Sequence, residues 1–245
     1  MIAPEVKNAL VVGGGSGMGR AAALALAAAG ARVMVADLDL AAAQATASQA
    51  GGGSLGWAVD VADPASVAGL FAQLREEIEA LHMLVHTAAI LGGTAFIDEV
   101  SDAAWRRMMA VNLDGPFYCS REAVRWMKRT GGGRILLFSS VASLTPTPGA
   151  LPYSAAKGGV NMLARTLAAE AAKHNIRVNV IAPGYVRTPM LEGLPSGFAE
   201  YIVKKTPLGR LGEESEVAAL VAYLAGPQAD FFTGQVLSPN GGLVI

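Results

Sequence analysis

Two tyrosines in this chain are each followed four residues later by a lysine, and such pairs can transfer protons. The pairs are Tyr153–Lys157 and Tyr201–Lys205. Because residues four apart lie on one face of a helix, either spacing brings a phenol close to an ammonium. Ser140 precedes Tyr153, at the end of a predicted apolar strand, and ligands of open α/β sheets bind beyond the carboxyl ends of strands. The serine therefore favours the first pair, whereas the second also suits a turn of an amphipathic helix.

A tyrosine beside a lysine and a serine suits the removal of a proton from an alcohol. A free tyrosine has a pKa of about 10, whereas a base that works near neutral pH needs a pKa close to 7. A fixed ammonium stabilises the phenolate, and a positively charged cofactor adds to this effect. Moving the pKa from about 10 to about 7 takes roughly 4 kcal/mol, which both charges in a partly dry cleft can supply. We predict that Lys157 lowers the pKa of Tyr153 and that Ser140 holds the carbinol or carbonyl oxygen.

A glycine-rich segment follows the first predicted strand and precedes a predicted helix. It reads Gly13-Gly14-Gly15-Ser16-Gly17-Met18-Gly19 and is called the glycine loop below. Its backbone can approach a pyrophosphate, and the helix N-terminus supplies free N–H groups. Asp37 ends the next strand, where an acid binds an adenosine ribose 2′-OH and repels a 2′-phosphate, so NAD is favoured over NADP. A plain turn, a capping role for Asp37 and a shared role for Asp39 stay open as alternatives.

Short apolar runs alternate with Ala-rich helical segments along the chain. This alternation predicts an α/β protein: a single-domain Rossmann fold over residues 1–245, with a doubly wound, parallel, seven-stranded sheet and helices on both faces. Residues 188–212 form one long irregular stretch, which we expect to be a substrate lid. The predicted strands are 9–12, 33–36, 55–59, 83–86, 135–139, 177–181 and 235–237, and the predicted helices are 17–29, 40–50, 64–80, 102–129, 153–174 and 213–225.

Composition argues against several classes of protein. With 52% hydrophobic and 16% charged residues, the chain is not of the disordered class. The longest apolar run, 21–31, is too short for a membrane span of about 20 residues, and a net charge of −1 argues against a nucleic-acid partner. The single cysteine, Cys119, and the lack of a secretory pattern in 1–8 indicate a cytoplasmic protein. The three histidines offer no convincing metal-ligand set, so we expect no metal.

The motifs together carry a family resemblance. The glycine loop is spaced Gly-x-x-x-Gly-x-Gly, and the chain resembles the short-chain dehydrogenase/reductase family, especially its 3-oxoacyl-carrier-protein-reductase-like members. The resemblance runs in order from Leu10 to Gly242. The matching segments are Asp60-Val61, Val111-Asn112-Leu113, Ser139-Ser140, Tyr153-Ser154-Ala155-Ala156-Lys157, Asn179, Pro183-Gly184-Tyr185-Val186-Arg187-Thr188, Gly234-Gln235 and Asn240-Gly241-Gly242.

This resemblance implies an oxidoreductase that transfers a hydride between NAD and a secondary alcohol/ketone pair, with Tyr153 as general acid/base. It implies that Asn112 holds a water in a proton relay and that Lys157 binds the nicotinamide ribose hydroxyls. The implied catalytic residues are Asn112, Ser140, Tyr153 and Lys157. The implied cofactor-binding residues are Gly13, Ser16, Gly17, Met18, Gly19, Asp37, Leu38, Asp60, Val61, Thr87, Ala88, Tyr153, Lys157, Pro183, Gly184, Val186 and Thr188.

The resemblance also suggests where a small-molecule substrate binds and how the chain assembles. An apolar lid leads us to expect a small or medium secondary alcohol or ketone. Family members are commonly tetramers, and the apolar tail 243–245 fits a subunit contact, so a homotetramer is expected. The expected pocket residues are Ala142, Leu144, Leu151, Tyr185, Met190, Leu191 and Leu194.

The sequence departs from the family at two places. Val12 occupies the position where the family carries threonine, and His86-Thr87-Ala88-Ala89 occupies the position where the family carries Asn-Asn-Ala-Gly. In the family that threonine links the first and fourth strands. Our hypothesis is that apolar packing at Val12 replaces the link while His86 finds another partner, and that the Ala89 methyl weakens or shifts NAD binding.

Two other functions stay open. One is an NADPH-dependent 3-oxoacyl-carrier-protein reductase, for which Arg121, Arg125, Lys128 and Arg129 would dock an acidic carrier, although a solvated or subunit-facing helix explains the same charges. The other is a non-catalytic NAD sensor on the same fold, which the four intact catalytic residues oppose.

Overall fold

All seven strands pair in parallel in one sheet. In the computed structural model, which describes residues 5–192 and 197–245, the order is β3-β2-β1-β4-β5-β6-β7. The chain thus winds outward from β1 in one direction and then from β4 in the other. Where two such neighbours diverge, the carboxyl ends of the strands leave a crevice for ligands. The strands are β1 Asn8–Val12, β2 Arg32–Asp37, β3 Leu55–Ala58, β4 Met83–His86, β5 Gly133–Phe138, β6 Ile176–Ile181 and β7 Val236–Leu237.

Helices cover both faces of the sheet, which confirms the predicted α/β fold. One hydrophobic core joins the sheet to α3, α5 and α6, and the other joins it to α1, α2 and α9. Alternate strand residues enter opposite cores, as Leu84 and Val85 do, because side chains alternate across a strand. Among the described helices, none is long and apolar enough to cross a membrane. The helices are α1 Gly17–Ala28, α2 Leu40–Ala50, α3 Pro64–Glu77, α4 Asp102–Met109, α5 Gly115–Met127, α6 Leu151–Ala171, α7 Pro189–Glu192, α8 Phe198–Lys205 and α9 Glu214–Ala225.

The predicted helix 102–129 is interrupted in the structure. Between α4 and α5 lies a π-helical turn, Ala110–Asp114, in which the Gly115 N–H bonds to the Ala110 carbonyl. Pro116 has no N–H to donate to the carbonyl of Asn112, so the regular α pattern cannot continue there. Such turns often mark functional sites.

The stretch 188–212 is less irregular than the sequence indicated. It contains two short helices, α7 and α8. The Tyr185 and Phe198 rings pack edge to face, with centroids 5.5 Å apart, which joins α8 to the segment after β6. The expectation of one long loop was therefore wrong, because the apolar face of α8 is stabilised by this tertiary packing.

Candidate active site

Two adjoining cavities open at the carboxyl ends of the strands. The dinucleotide cleft, as we call the first, has a volume of about 240 Å³ and is lined by the glycine loop and the ends of β2, β3 and β4. The reaction cavity, the second, has a volume of about 420 Å³ and contains Ser140 and Tyr153. Met18, Thr188 and Met190 line both. A molecule bound in the cleft would therefore reach the reactive hydroxyls.

The glycine loop leaves the start of α1 open. Gly13 and Gly17 have φ angles of +81° and +55°, which favour glycine. A Cβ on Gly19 would overlap the Gly13 carbonyl oxygen, so the helix starts tight against the first strand. Ser16 at the N-cap makes no side-chain capping bond, and a Cβ on Gly17 would lie in van der Waals contact with the Thr188 side chain, 3.8 Å away. This cradle fits a pyrophosphate on the helix N-terminus.

Thr87 fixes the glycine loop to β4. Its Oγ1 lies 2.9 Å from the carbonyl oxygen of Val12 and 3.0 Å from that of Gly13. A polar link between β1 and the segment after β4 thus exists, although Val12 carries no hydroxyl. The hypothesis that apolar packing had replaced this link was wrong, because Thr87, directly after β4, supplies the hydroxyl that Val12 lacks. His86 Nε2 has no hydrogen-bond partner among the described residues, whereas a hydrogen bond from the ring to the backbone of His86 itself contributes to the pKa of the imidazole.

Asp37 is the carboxylate presented to the cleft at the end of β2. Its Oδ2 accepts the Gly15 N–H at 2.9 Å, and its Oδ1 accepts the Asp39 N–H at 3.1 Å. The carboxylate of Asp39 instead caps α2 by accepting the Ala42 N–H at 3.1 Å, and it does not line the cleft. The two acids are therefore distinguished, and Asp37 is the one placed to meet a ribose.

Most residues expected to bind the cofactor line one of the two cavities. Lys157 is the exception, since it lines neither. Arg107 and Val111, which were not expected from the sequence, also line the cleft; they are four residues apart and so share a helical face. The expected residues in the cleft are Gly13, Ser16, Gly17, Met18, Gly19, Asp37, Leu38, Asp60, Val61, Thr87, Ala88 and Thr188. Those in the reaction cavity are Met18, Tyr153, Pro183, Gly184, Val186 and Thr188. Further lining residues of the cleft are Val12, Val59, Ala89, Ile90, Pro189 and Met190.

Hydrogen bonds from neighbouring residues fix the position of Ser140. Its Oγ accepts the Ala142 N–H at 3.2 Å, which leaves its own hydrogen free to point elsewhere. Ser143 Oγ donates to the Ser140 carbonyl at 2.6 Å, and Asn161 Nδ2 donates to Ser143 Oγ at 2.8 Å. We call this pair the Ser143–Asn161 brace. It connects the turn after β5 to α6, the helix that carries Tyr153.

Tyr153 and Ser140 both line the reaction cavity. Burial raises the pKa of Tyr153, while the nearby Ser140 hydroxyl lowers it and the nearby Tyr185 raises it further. The Lys157 Nζ lies 5.7 Å from the centre of the Tyr153 ring. The expectation that Lys157 lowers the pKa of Tyr153 was therefore wrong for the protein alone, because loss of hydration is the largest effect on the phenol.

Lys157 is only 2% exposed, and its Nζ donates to the carbonyl oxygen of Phe138 at 3.0 Å. Burial lowers the pKa of this ammonium to about 8. His86 lies close enough for Lys157 to affect it: burial first, and then the charge of Lys157, lower its pKa to about 3. The pair consequently carries a neutral imidazole and an amine that loses its proton easily.

Asn112 lies in the π-helical turn and fastens it to the segment after β4. Its Oδ1 accepts the Ile90 N–H at 2.9 Å, and its Nδ2 donates to the Ile90 carbonyl at 2.8 Å and to the sulfur of Met108 at 2.9 Å. The side chain is thus occupied by protein partners. It positions the wall of the cleft at Ile90, and the water-holding role stays a prediction.

The two tyrosine–lysine pairs differ in where they lie in the fold. In α8, Lys205 Nζ lies 5.7 Å from the ring centre of Tyr201, the same distance as in the first pair. Tyr201 is exposed and does not line the reaction cavity. Spacing and distance are equal in both pairs, and the cavity beside Ser140 distinguishes them.

The walls of the reaction cavity differ in part from the expectation. Ala142, Tyr185, Met190 and Leu191 line it, as expected. Leu144 and Leu151 were wrongly assigned: they are 40% and 38% exposed and lie outside its walls, and Leu194 falls outside the described residues. The missed walls are two loops joined by a bridge between Ala95 and Ala150, and their Gly and Pro residues were the available signal. These loops supply Leu91, Gly92, Gly93, Thr94, Thr147, Pro148, Gly149 and Ala150, and α8 adds Phe198.

Comparisons with known proteins agree with this geometry. A family model described as enoyl-(acyl carrier protein) reductase matches residues 13–244. Over 193 residues the chain is 38% identical to cis-4-hydroxycyclohexanecarboxylate dehydrogenase of Sinomonas cyclohexanicum, covering 79% of this chain and 78% of the relative. It is 37% identical over 179 residues to 3alpha-hydroxysteroid dehydrogenase of Mediterraneibacter gnavus, covering 73% and 71%. A short-chain type dehydrogenase/reductase from Mycobacterium marinum superposes with a TM-score of 0.93 at 31% identity, covering 99% of this chain and 97% of that one.

Proposed function

Because this chain belongs to the short-chain dehydrogenase/reductase family, an oxidoreductase family, we propose that it transfers a hydride between NAD and a secondary alcohol/ketone pair. The observation that carries the proposal is that the hydroxyl-bearing residues Ser140 and Tyr153 line one cavity, which adjoins the dinucleotide cleft. Tyr153 acts as general acid/base, and Ser140 holds the substrate oxygen.

The roles of the chain follow from its hydrogen bonds. A bound nicotinamide would supply the hydride acceptor for oxidation and the hydride donor for reduction. Ser140 Oγ already accepts from Ala142, so its hydrogen is available to the substrate oxygen or to Tyr153. In oxidation the hydroxyl proton of the alcohol passes to the Tyr153 phenolate; in reduction the phenol gives it back to the carbonyl oxygen.

The raised pKa of Tyr153 makes the two directions unequal. A protonated phenol is ready to donate during ketone reduction over a wide pH range. Oxidation needs the phenolate, which burial disfavours and which the positive ring of the oxidised cofactor would stabilise. We expect the rate of oxidation to rise towards alkaline pH while the rate of reduction stays level near neutral pH.

The preference for NAD is supported by Asp37. Its carboxylate faces the ribose end of the cleft, where a 2′-phosphate would be repelled. Lys157 would hold the nicotinamide ribose hydroxyls, as the family resemblance implies, only if its amine left the Phe138 carbonyl that it bonds to at 3.0 Å.

A kinetic screen tests this proposal. Cyclic secondary alcohols and ketones suit the panel, since the two named relatives act on a hydroxycyclohexane acid and a hydroxysteroid. We expect turnover with NAD(H) to be well above turnover with NADP(H). Tyr153→Phe should lose activity, whereas the matched control Tyr201→Phe should keep it. Activity that survives in Tyr153→Phe would refute the assigned role.

An NADPH-dependent 3-oxoacyl-carrier-protein reductase is the second candidate. It is favoured by the 34% identity over 189 residues to the 3-oxoacyl-[acyl-carrier-protein] reductase of Thermotoga maritima, and by Arg107, a cation in the wall of the cleft. Against it, the expected docking helix is partly neutralised, because Arg125 bonds to Glu122 at 2.7 Å and Arg121 lies 3.8 Å from the same carboxylate. Reduction of a 3-oxoacyl thioester with NADPH, at a rate above any cyclic ketone with NADH, would select this candidate. Turnover in either assay excludes a non-catalytic sensor.

Assembly and location stay predictions of the same proposal. We propose one domain over 1–245, because one sheet runs through it, and a cytoplasmic homotetramer. The exposed apolar side chains of Phe231 and Ile245 suit a subunit contact. A monomeric mass by light scattering at micromolar concentration would contradict the tetramer.

A further inference from the structure

The reaction cavity carries no charged side chain in the part of its wall that the structure describes. Its volume of about 420 Å³ suits a small organic ligand, since such sites span about 300–1,000 Å³. The neutral and apolar wall includes Leu91, Thr94, Val141, Thr147, Pro148, Met190, Leu191 and Phe198.

The cations closest in sequence to this wall face other partners. Lys157 Nζ bonds to the Phe138 carbonyl, and Arg187 lies 3.4 Å from the Glu213 carboxylate. The charged residues of the loop 91–100, Asp98 and Glu99, are both acidic. Within the described wall of the reaction cavity, a negative group would therefore find no ammonium or guanidinium to replace its hydration, since Arg107 lies in the wall of the adjoining cleft.

Resting on the proposed function, we infer that the reaction cavity selects an uncharged, largely apolar alcohol or ketone and discriminates against substrates that carry a carboxylate or phosphate. A buried carboxylate without a counter-charge loses its hydration energy, whereas a neutral amide of the same shape loses far less. The edge-to-face packing of Tyr185 on Phe198 gives the apolar part of the ligand a firm wall.

A pair of probes that differ only in charge tests the inference. We compare cis-4-hydroxycyclohexanecarboxamide with cis-4-hydroxycyclohexanecarboxylate at pH 8, where the acid is ionised. The kcat/KM for the amide is expected to exceed that for the carboxylate by about 30-fold or more, given the cost of burying an unpaired charge. Equal values, or a preference for the carboxylate, would overturn the inference.

A variant that adds a cation provides the converse test. Thr147→Arg places a guanidinium in the wall and is expected to raise kcat/KM for the carboxylate by about tenfold, with a much smaller change for the amide. Thr145→Arg is the matched control, because Thr145 is exposed and does not line the cavity. The same ratio of the two substrates in both variants would contradict the inference.

Binding separates this inference from the proposed function. Both probes are titrated calorimetrically into Tyr153→Phe, with and without NADH. Tight binding of the amide alone, without turnover in the wild type, supports the neutral cavity and refutes the proposed reaction. Turnover of both probes with equal affinity supports the reaction and refutes the neutral cavity. Binding of neither probe at millimolar concentration also refutes the neutral cavity.

Discussion

Replacing Lys157 by methionine should make the protein more stable while removing its activity. The ammonium is 2% exposed, and burial lowers its pKa from 10.5 to about 8. At about 1.4 kcal/mol for each tenfold change, keeping this amine charged in the fold costs about 3 kcal/mol. Methionine cannot make the hydrogen bond to the Phe138 carbonyl, and this loss offsets about 1 kcal/mol of the stability gained. We expect Lys157→Met to gain about 2 kcal/mol at pH 7, while its kcat falls at least about 100-fold.

The pH dependence has a definite sign. Between the folded pKa of about 8 and the unfolded value of 10.5, the unfolded chain binds more protons than the folded one, so wild-type stability rises with pH. The advantage of Lys157→Met is therefore full below pH 8 and declines above it. His86, whose pKa is lowered to about 3, stays neutral in this range and adds nothing.

Urea unfolding of the cofactor-free protein between pH 6.5 and 9.5 measures this difference. For a chain of this length, about 2 kcal/mol corresponds to a rise in Tm of about 4–8 °C. Lys173→Met is the control, because Lys173 is exposed in the turn after α6 and should show neither the gain nor its pH dependence. A Lys157→Met protein that is less stable than the wild type at pH 6.5, or whose advantage is constant with pH, would refute the reasoning.

Other variants test the positioning contacts by kinetics and cofactor titration. Ser143→Ala should lower kcat about fivefold by releasing Ser140, yet add almost nothing in a Ser140→Ala background; full additivity would mean a structural role only. Asp37→Asn should weaken NAD binding about tenfold, whereas Asp39→Asn should leave the NAD affinity unchanged and affect only α2; equal loss in both would contradict the assignment. Gly19→Ala should abolish NAD binding in a protein that still folds, because its Cβ overlaps the backbone at the start of the glycine loop; normal binding would show that the loop can shift.

The fold could be predicted from the sequence because its signals are local. Buried parallel strands appear as apolar runs, and the bounds of β4, 83–86, match the prediction. The break of the long helix at the π-helical turn was less visible, although Pro116 was a local signal for it. Helix α8 was missed because its packing through Phe198 on Tyr185 is a tertiary contact.

By itself, the sequence determined the glycine loop, the acid at the end of β2 and the order of the expected catalytic residues, since each depends on spacing within a few turns or one βαβ unit. Only the tertiary structure decided that Tyr153 and not Tyr201 lines a cavity, that Asp37 and not Asp39 lines the cleft, and that burial raises the pKa of Tyr153. These outcomes depend on dehydration and on contacts between residues far apart in the chain, and neither is encoded in local spacing.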